Sequence, residues 1–405
     1  MPTFVAEVKD SKGNAKKQKI DATSAEQALM MLQNQYTSVG QVKRSGVSFS
    51  LSELTERLTS VSVKDKAVFS RQFAAMVNAG VAIVRCLSIL SDQCPNVKLK
   101  KSLVGISAEV QQGTSLGDSM RKYPECFDKL YVAMVDAGEI GGVLDQVLNR
   151  LATLLENMQR LANQIKSAMA YPTAVGFIAV LVFFAMTMFL IPVFAAVFEE
   201  LGTELPALTQ FMLFLSGQFR SWQFWIVIIP TIAGSIFGVK TYYKLPQGRR
   251  QIDGLLLKAP LIGDLNEKTA VARFCRIFGT LTRSGVPILS CLDIVRDTAG
   301  NQVIADSIEA AKAEIQQGGM ISVALEREGV FPMLAIQMMS IGEETGELDA
   351  MMMKVADFYE DEVEQAVKAL TSIIEPIMMV GVAAMVGVIL LSMYLPMFKV
   401  FDELG

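Results

Sequence analysis

At 405 residues the chain has room for two or three domains. Its 51% hydrophobic residues exceed an average soluble share, while 19% charged residues are too many for a chain embedded in lipid throughout. A net charge of −4 without a dense Lys/Arg run excludes the usual nucleic-acid footprint, and the lack of any histidine removes the commonest general base and metal ligand.

The N-terminus, MPTFVAEVKDSKGNAKK, has no apolar core and no small-residue cleavage site, so no signal peptide is expected and this end is placed in the cytoplasm. Residues 3–8 and 16–21, parted by Ser-Lys-Gly-Asn, predict a small β-hairpin, and Ser24 is placed to cap a short helix over AEQALMMLQNQ. Residues 1–44 are therefore read as a small appendage, followed by a polar linker and short helix over 45–62.

Residues 63–171 read as the first helical module. Val68, Phe73, Met76 and Val77 keep a helical spacing, and Gly80 stands where a helix takes a left-handed cap. The stretch 69–90, FSRQFAAMVNAGVAIVRCLSIL, recurs as 274–295, FCRIFGTLTRSGVPILSCLDIV, with nine of 22 positions identical, and Gly285 repeats Gly80. The match resumes at Gln111-Gln112-Gly113 against Gln316-Gln317-Gly318, with a short helix expected to start near Ser115 and Ile321. It resumes again at Gly138-Glu139-x-x-Gly142 against Gly342-Glu343-x-x-Gly346. Short connections favour antiparallel packing, so each copy is expected to be a bundle of about six helices.

No charge occurs between Lys166 and Glu199, between Arg220 and Lys240, or between Glu375 and Lys399. Each gap holds the roughly 20 apolar residues that a membrane-crossing helix needs. The expected spans are 172–198, 222–239 and 376–398, with a connector over 199–221, the second module over 240–375 and a tail over 399–405. In the connector, Phe211, Met212 and Leu215 share one helical face, which predicts an interfacial or span-extending helix. Arg150, Arg160 and Lys166 precede the first span and Lys240, Lys244, Arg249 and Arg250 follow the second, so the positive-inside rule puts the N-terminus and both modules in the cytoplasm and the C-terminus outside. The expected class is an all-α membrane protein with two homologous cytoplasmic helical bundles, three transmembrane helices and a hairpin-plus-helix appendage.

The five cysteines (Cys86, Cys94, Cys126, Cys275, Cys291) are odd in number, lack C-x-x-C and lie outside the spans, which indicates a reducing compartment. Cys86 and Cys291 occupy equivalent repeat positions on apolar faces and read as buried, inert thiols. No catalytic residue, cofactor or metal is expected. The candidate interaction or coupling residues are Gly138, Glu139, Gly142, Gly342, Glu343, Gly346, Pro172, Glu375 and Pro376. For Glu139 and Glu343 two readings stand: a carboxylate near a helix start beside a glycine turn, or a contact between modules or to a partner. Pro172 and Pro376 stand as helix starts or as kinks setting the angle between module and span. Glu375 is a solvated or snorkelling group, or the partner of a basic group on another chain. The run Asp357–Glu364, DFYEDEVE, reads as a solvated helix face or a docking surface.

The repeated FSRQF and FCRIF helices, the two G-E-x-x-G-x-L-D segments, Tyr171-Pro172, Glu375-Pro376 and the Tyr394-Leu-Pro-Met-Phe398 exit together resemble the inner-membrane platform protein of type IV pilus and type II secretion machines, from about residue 60 to 405. The resemblance implies a non-enzymatic, three-span scaffold in the bacterial inner membrane. Its implied partners are a cytoplasmic hexameric assembly or retraction ATPase, pilin subunits and other inner-membrane pilus components. Self-association is expected, since three spans are too few to enclose a scaffold alone. The favoured function is pilus assembly, coupling the ATPase to pilin insertion and extraction, with a secretion platform driving a pseudopilus as the alternative. A repeat-built transporter would need polar groups or broken helices at mid-membrane. The chain has no phosphate-cradling loop, so energy must come from a partner.

Overall fold

A computed structural model of the chain describes residues 3–9, 15–21, 27, 29–30, 38–40, 43–44, 60–200 and 205–404. They fall into two compact units, residues 1–60 with 96–98, and the remainder. In the smaller unit, β1 (Thr3–Lys9) pairs antiparallel with β2 (Ala15–Asp21), Thr3 opposite Asp21 and Lys9 opposite Ala15, the hairpin expected on either side of the Ser-Lys-Gly-Asn turn. Two short strands unmarked in the sequence, β3 (Ser38–Val39) and β4 (Lys43–Arg44), also pair with β1, and Ala6 is buried. Of the expected short helix only Gln27, Leu29 and Met30 are described, and they are helical; the rest of it and the linker before Ser60 lie outside the described residues.

The first module comprises α1 (Val63–Asn78), α2 (Ile83–Gln93), α3 (Val97–Gln111, in the larger unit from Leu99), α4 (Leu116–Arg121), α5 (Lys129–Gly141) and the base of α6 (Leu144–Ala185). Ser62 and Asp65 form a reciprocal capping box that starts α1. Gly80 ends that helix turn at φ +79°, and Gly285 repeats it at φ +82°. Phe69 and Phe73 stack with ring centroids 5.5 Å apart, and Phe127 meets Phe69 edge-on. The second copy builds the same cluster from Phe274, Phe278 and Phe331. Each of these rings is at least nine-tenths buried and contributes about 1.5–3 kcal/mol of hydrophobic stabilisation.

A π-helical turn over Met186–Leu190 and then α7 (Ile191–Glu200) continue the line of α6, so a helix rooted in the first module becomes the first apolar span. α8 (Ala207–Arg220) turns back, and α9 (Trp222–Tyr243) is the second apolar helix. The second module follows as α10 (Pro246–Lys258), α11 (Ile262–Arg283), α12 (Ile288–Thr298), α13 (Gln302–Ile315), α14 (Ile321–Glu328), α15 (Met333–Thr345) and the base of α16 (Leu348–Leu404). α10 leads into the second copy; its buried Asp253 accepts the backbone N–H of Gln302 at 2.7 Å and caps α13. Among the described residues three helices are long and apolar enough to cross a membrane: 144–198, 222–243 and 348–398.

Two expectations are corrected here. Pro172 and Pro376 do not start a helix: they lie inside α6 and α16, which removes the helix-start reading and leaves that of a kink. Apolar spanning helices tolerate the lost N–H because neighbouring groups re-satisfy the freed carbonyl. On α8 the buried residues are Thr209, Met212, Ser216 and Phe219, whereas Phe211 is exposed. Thr209 donates its hydroxyl to the carbonyl of Ser392 at 2.7 Å, and Met212 packs with Ile191 and Ile389, so small polar residues turn inward and lipid can receive Phe211. The cores of both modules form one continuous cluster.

Candidate functional site

Glu139 sits in the last turn of α5, and Glu343 in the last turn of α15. Neither carboxylate serves the start of the helix that follows, as proximity in sequence suggested. Each reaches back to the short helix that precedes its own. Glu139 accepts the backbone N–H groups of Leu116 and Gly117 at 2.6 and 2.8 Å, at the first turn of α4. Glu343 accepts those of Ile321 and Ser322 at 2.6 and 2.9 Å, and the Ser322 hydroxyl at 2.5 Å, at the first turn of α14. A charge thus meets a positive helix end and satisfies two orphan donors, in duplicate.

The glycines around each carboxylate divide into two kinds. Gly142 and Gly346 have φ +65° and +74° and close the turn into the long helix that follows. Gly138 and Gly342 are helical and buried, and their need for a bare α-carbon is packing: a Cβ on Gly342 would stand 2.8 Å from the Leu348 Cα, and one on Gly138 3.1 Å from the Leu144 Cα. The motif is therefore a joint that locks the short helix, the penultimate helix and the base of the long helix together.

A second duplicated fastening went unread in the sequence. Arg71 donates from Nε and Nη2 to the two oxygens of Glu156 at 2.7 and 2.5 Å, tying α1 to α6. Arg276 donates from Nε to Glu360 at 2.7 Å and from Nη2 to Asp357 at 2.5 Å, tying α11 to α16. The signal was present, because each arginine stands third in the repeated Phe-x-Arg-x-Phe and each glutamate 17 residues after its module's Glu139 or Glu343. The environments differ. The side chains of Arg71 and Glu156 are 42% and 44% exposed, whereas those of Arg276 and Glu360 are 7% and 14%. Burial pulls the Arg276 guanidinium down, and its bonds to Glu360 and Asp357 outweigh that and hold it above its ordinary value.

The acidic run is correspondingly not a free solvated face. Asp357 and Glu360 hold Arg276, Glu362 holds Lys268 and Glu364 holds Lys368. It also joins the modules: Arg160 of α6 meets Glu360 at 3.4 Å, and Gln164 donates to Glu364 at 3.2 Å. Elsewhere Lys129 bridges to Asp297 at 2.7 Å, and Arg150 donates to the Arg283 carbonyl at 2.5 Å. Cys86 and Cys291 are fully buried and donate S–H bonds to the Val81 and Val286 carbonyls; burial raises both thiols, that of Cys291 to about 12.

Where the long helices become apolar, α6 and α16 enclose a groove of about 560 Å³ that brings Pro172 and Glu375 together with Tyr171, Val175, Met379 and Val386. Pro376 is not among its lining residues, and Glu139 and Glu343 lie apart, one in each module.

The family model for type II secretion system (T2SS), protein F matches the chain twice, over residues 69–192 and 274–396. The chain belongs to that family. Among similar proteins, the type IV pilus assembly protein PilC of Thermus thermophilus is 39% identical over 407 residues, covering 100% of both chains. The protein of the same name from Myxococcus xanthus is 39% identical over 98% of this chain and 94% of its own. The type II secretion system protein F of Vibrio cholerae is 30% identical over 98% of each chain. With its three apolar helices, this protein F family member is an inner-membrane protein.

Proposed function

We propose that this chain is the inner-membrane platform of type IV pilus assembly, coupling a cytoplasmic hexameric ATPase to the insertion and extraction of pilin subunits. The observation that carries the pilus over the secretion reading is the full-length match at 39% identity to a pilus assembly protein, against 30% to a secretion protein F. The architecture supports a mechanical role. α6 and α16 are 42 and 57 residues long, about 63 and 86 Å at 1.5 Å per residue, and each runs from a module core into an apolar span. A displacement imposed on a module therefore reaches the membrane along a single helix, and the Glu139 and Glu343 joints and the two arginine fastenings keep the modules from yielding at its base.

Flanking charge supports an N-terminus and both modules in the cytoplasm and a C-terminus in the periplasm. In that orientation both modules are open to one motor, and pilins and other inner-membrane pilus components meet the apolar helices. No catalytic role is proposed. Deletion of the gene in its source bacterium, followed by electron microscopy of surface fibres and assay of secreted proteins, tests the assignment. Loss of fibres with intact secretion is the expected result; intact fibres with lost secretion assigns the chain to a pseudopilus platform instead.

A further inference from the structure

Two apolar surfaces of the membrane helices have no partner among the described residues. No residue of α9 is buried, and every residue from Ile229 to Tyr242 is exposed. Both ends of α9 are nonetheless anchored. The Trp225 indole N–H donates to the Phe219 carbonyl at 2.8 Å with its ring 6.4 Å from that of Phe184 on α6, and the Tyr243 hydroxyl donates to Asp253 at 2.9 Å, so its own chain holds the helix at its ends and leaves the stretch between them uncovered. The second surface is the groove between α6 and α16. Each surface carries one unmatched charge at the end nearest the modules. Lys240 closes the apolar run of α9, Glu375 opens that of α16, and neither has an ion pair or hydrogen bond among the described residues.

We propose that the groove receives α9 of a second copy of this chain, with Lys240 of one copy against Glu375 of the other. The spacing supports the pairing. Ile236, Ala233 and Ile229 lie four, seven and eleven residues before Lys240, while Met379, Val382 and Val386 lie four, seven and eleven after Glu375, and these last three line the groove. Both series fall on one helical face, and successive crossings run α9 and α16 in opposite directions, so the two stripes meet pair by pair over about 16 Å. Lipid tails cover apolar side chains as well as a protein does, and the carboxylate and the ammonium are what select a helix over lipid, because an ion pair at the edge of the hydrocarbon layer is weakly screened. A two-fold axis along the membrane normal makes the exchange reciprocal, each copy giving one α9 and receiving one, and it closes at a dimer. The inference rests on the three helices crossing the membrane, and not on the pilus assignment.

The test places a photoreactive benzoylphenylalanine at Ile236, on the predicted contact face, in full-length chains carrying two different tags and co-expressed in native membranes. Illumination is expected to give mixed-tag dimers whose crosslinked peptide falls within residues 168–175 or 371–386. Lys240→Glu is expected to lower the yield at least fivefold, and Lys240→Glu with Glu375→Lys to restore it. Crosslinks confined to one chain, to lipid or to another protein, or dimers joined at other residues, overturn the proposal, and the Ile236 probe decides this even if the charge variants insert poorly. Fibre counts on the same cells report separately on the platform function.

Discussion

Replacing Arg71 and Arg276 one at a time sets the same interaction in two solvent environments. Arg71→Met removes a pair whose partners are both more than two-fifths exposed, and surface pairs of that kind contribute about 0–1 kcal/mol. Arg276→Met leaves the Glu360 carboxylate, 14% exposed, with only Arg160 at 3.4 Å, and breaking a buried pair costs about 3–5 kcal/mol. The methionine keeps the aliphatic stem, so the difference of about 3 kcal/mol reports the charge. At about 2–4 °C per kcal/mol for a unit larger than 150 residues, Arg276→Met should melt roughly 6–12 °C lower than Arg71→Met. Heating the detergent-purified chain with a fluorogenic thiol dye follows this directly, because Cys86 and Cys275 are fully buried, one in each module, and label only on opening. Adding Glu360→Met to Arg276→Met should recover part of the loss, since the stranded carboxylate is then gone. Equal melting shifts for the two single variants, or no recovery in the double variant, would refute the assignment of a buried, costly charge pair.

Further expectations use the same melt or simple chemistry. Glu343→Ala strips two backbone acceptor bonds and the Ser322 contact from the start of α14 and should cost about 2–4 kcal/mol, with Glu343→Gln losing less because the amide oxygen still accepts. Gly342→Ala should be more damaging than Gly138→Ala, because its new methyl would press on the Leu348 backbone at 2.8 Å against 3.1 Å at Leu144. At pH 8 iodoacetamide should modify Cys94 first, and Cys275 and Cys291, each raised to about 12 by burial, only after unfolding; mass spectrometry of a time course checks the order. Burial raises the Asp297 carboxyl, but bonds from Lys129 and Arg296 outweigh it and leave it below its ordinary 3.8. A carboxyl depressed by folding contributes its full stability above 3.8 and loses it as pH falls through the folded value, so Asp297→Asn should flatten the acid side of the melting curve against pH.

Much of this molecule is legible in sequence wherever the cause is local. The left-handed turns at Gly80, Gly285, Gly142 and Gly346 follow from glycine's ready tolerance of that backbone, and the strands over 3–9 and 15–21 follow from the Ser-Lys-Gly-Asn turn between them. The candidate joint was legible only in part. Its residues were marked by repetition, but the partners of Glu139 lie 22 and 23 residues back in the chain, a distance at which no helical period relates them. Arg71 and Glu156 are 85 residues apart, and only the packing of α1 on α6 makes them neighbours.

By itself the sequence determined that a helical module is used twice and that three apolar runs are long enough to cross a membrane. Duplication and run length are properties of the chain, independent of how it packs. Tertiary structure alone decided that Pro172 and Pro376 lie within helices, that the acidic run of α16 is occupied by Arg276, Lys268 and Arg160, and that α9 is exposed from Ile229 to Tyr242. Those outcomes depend on which surfaces compete for contact after each helix has formed, and a charge or an apolar face has a meaning only once its neighbour is known.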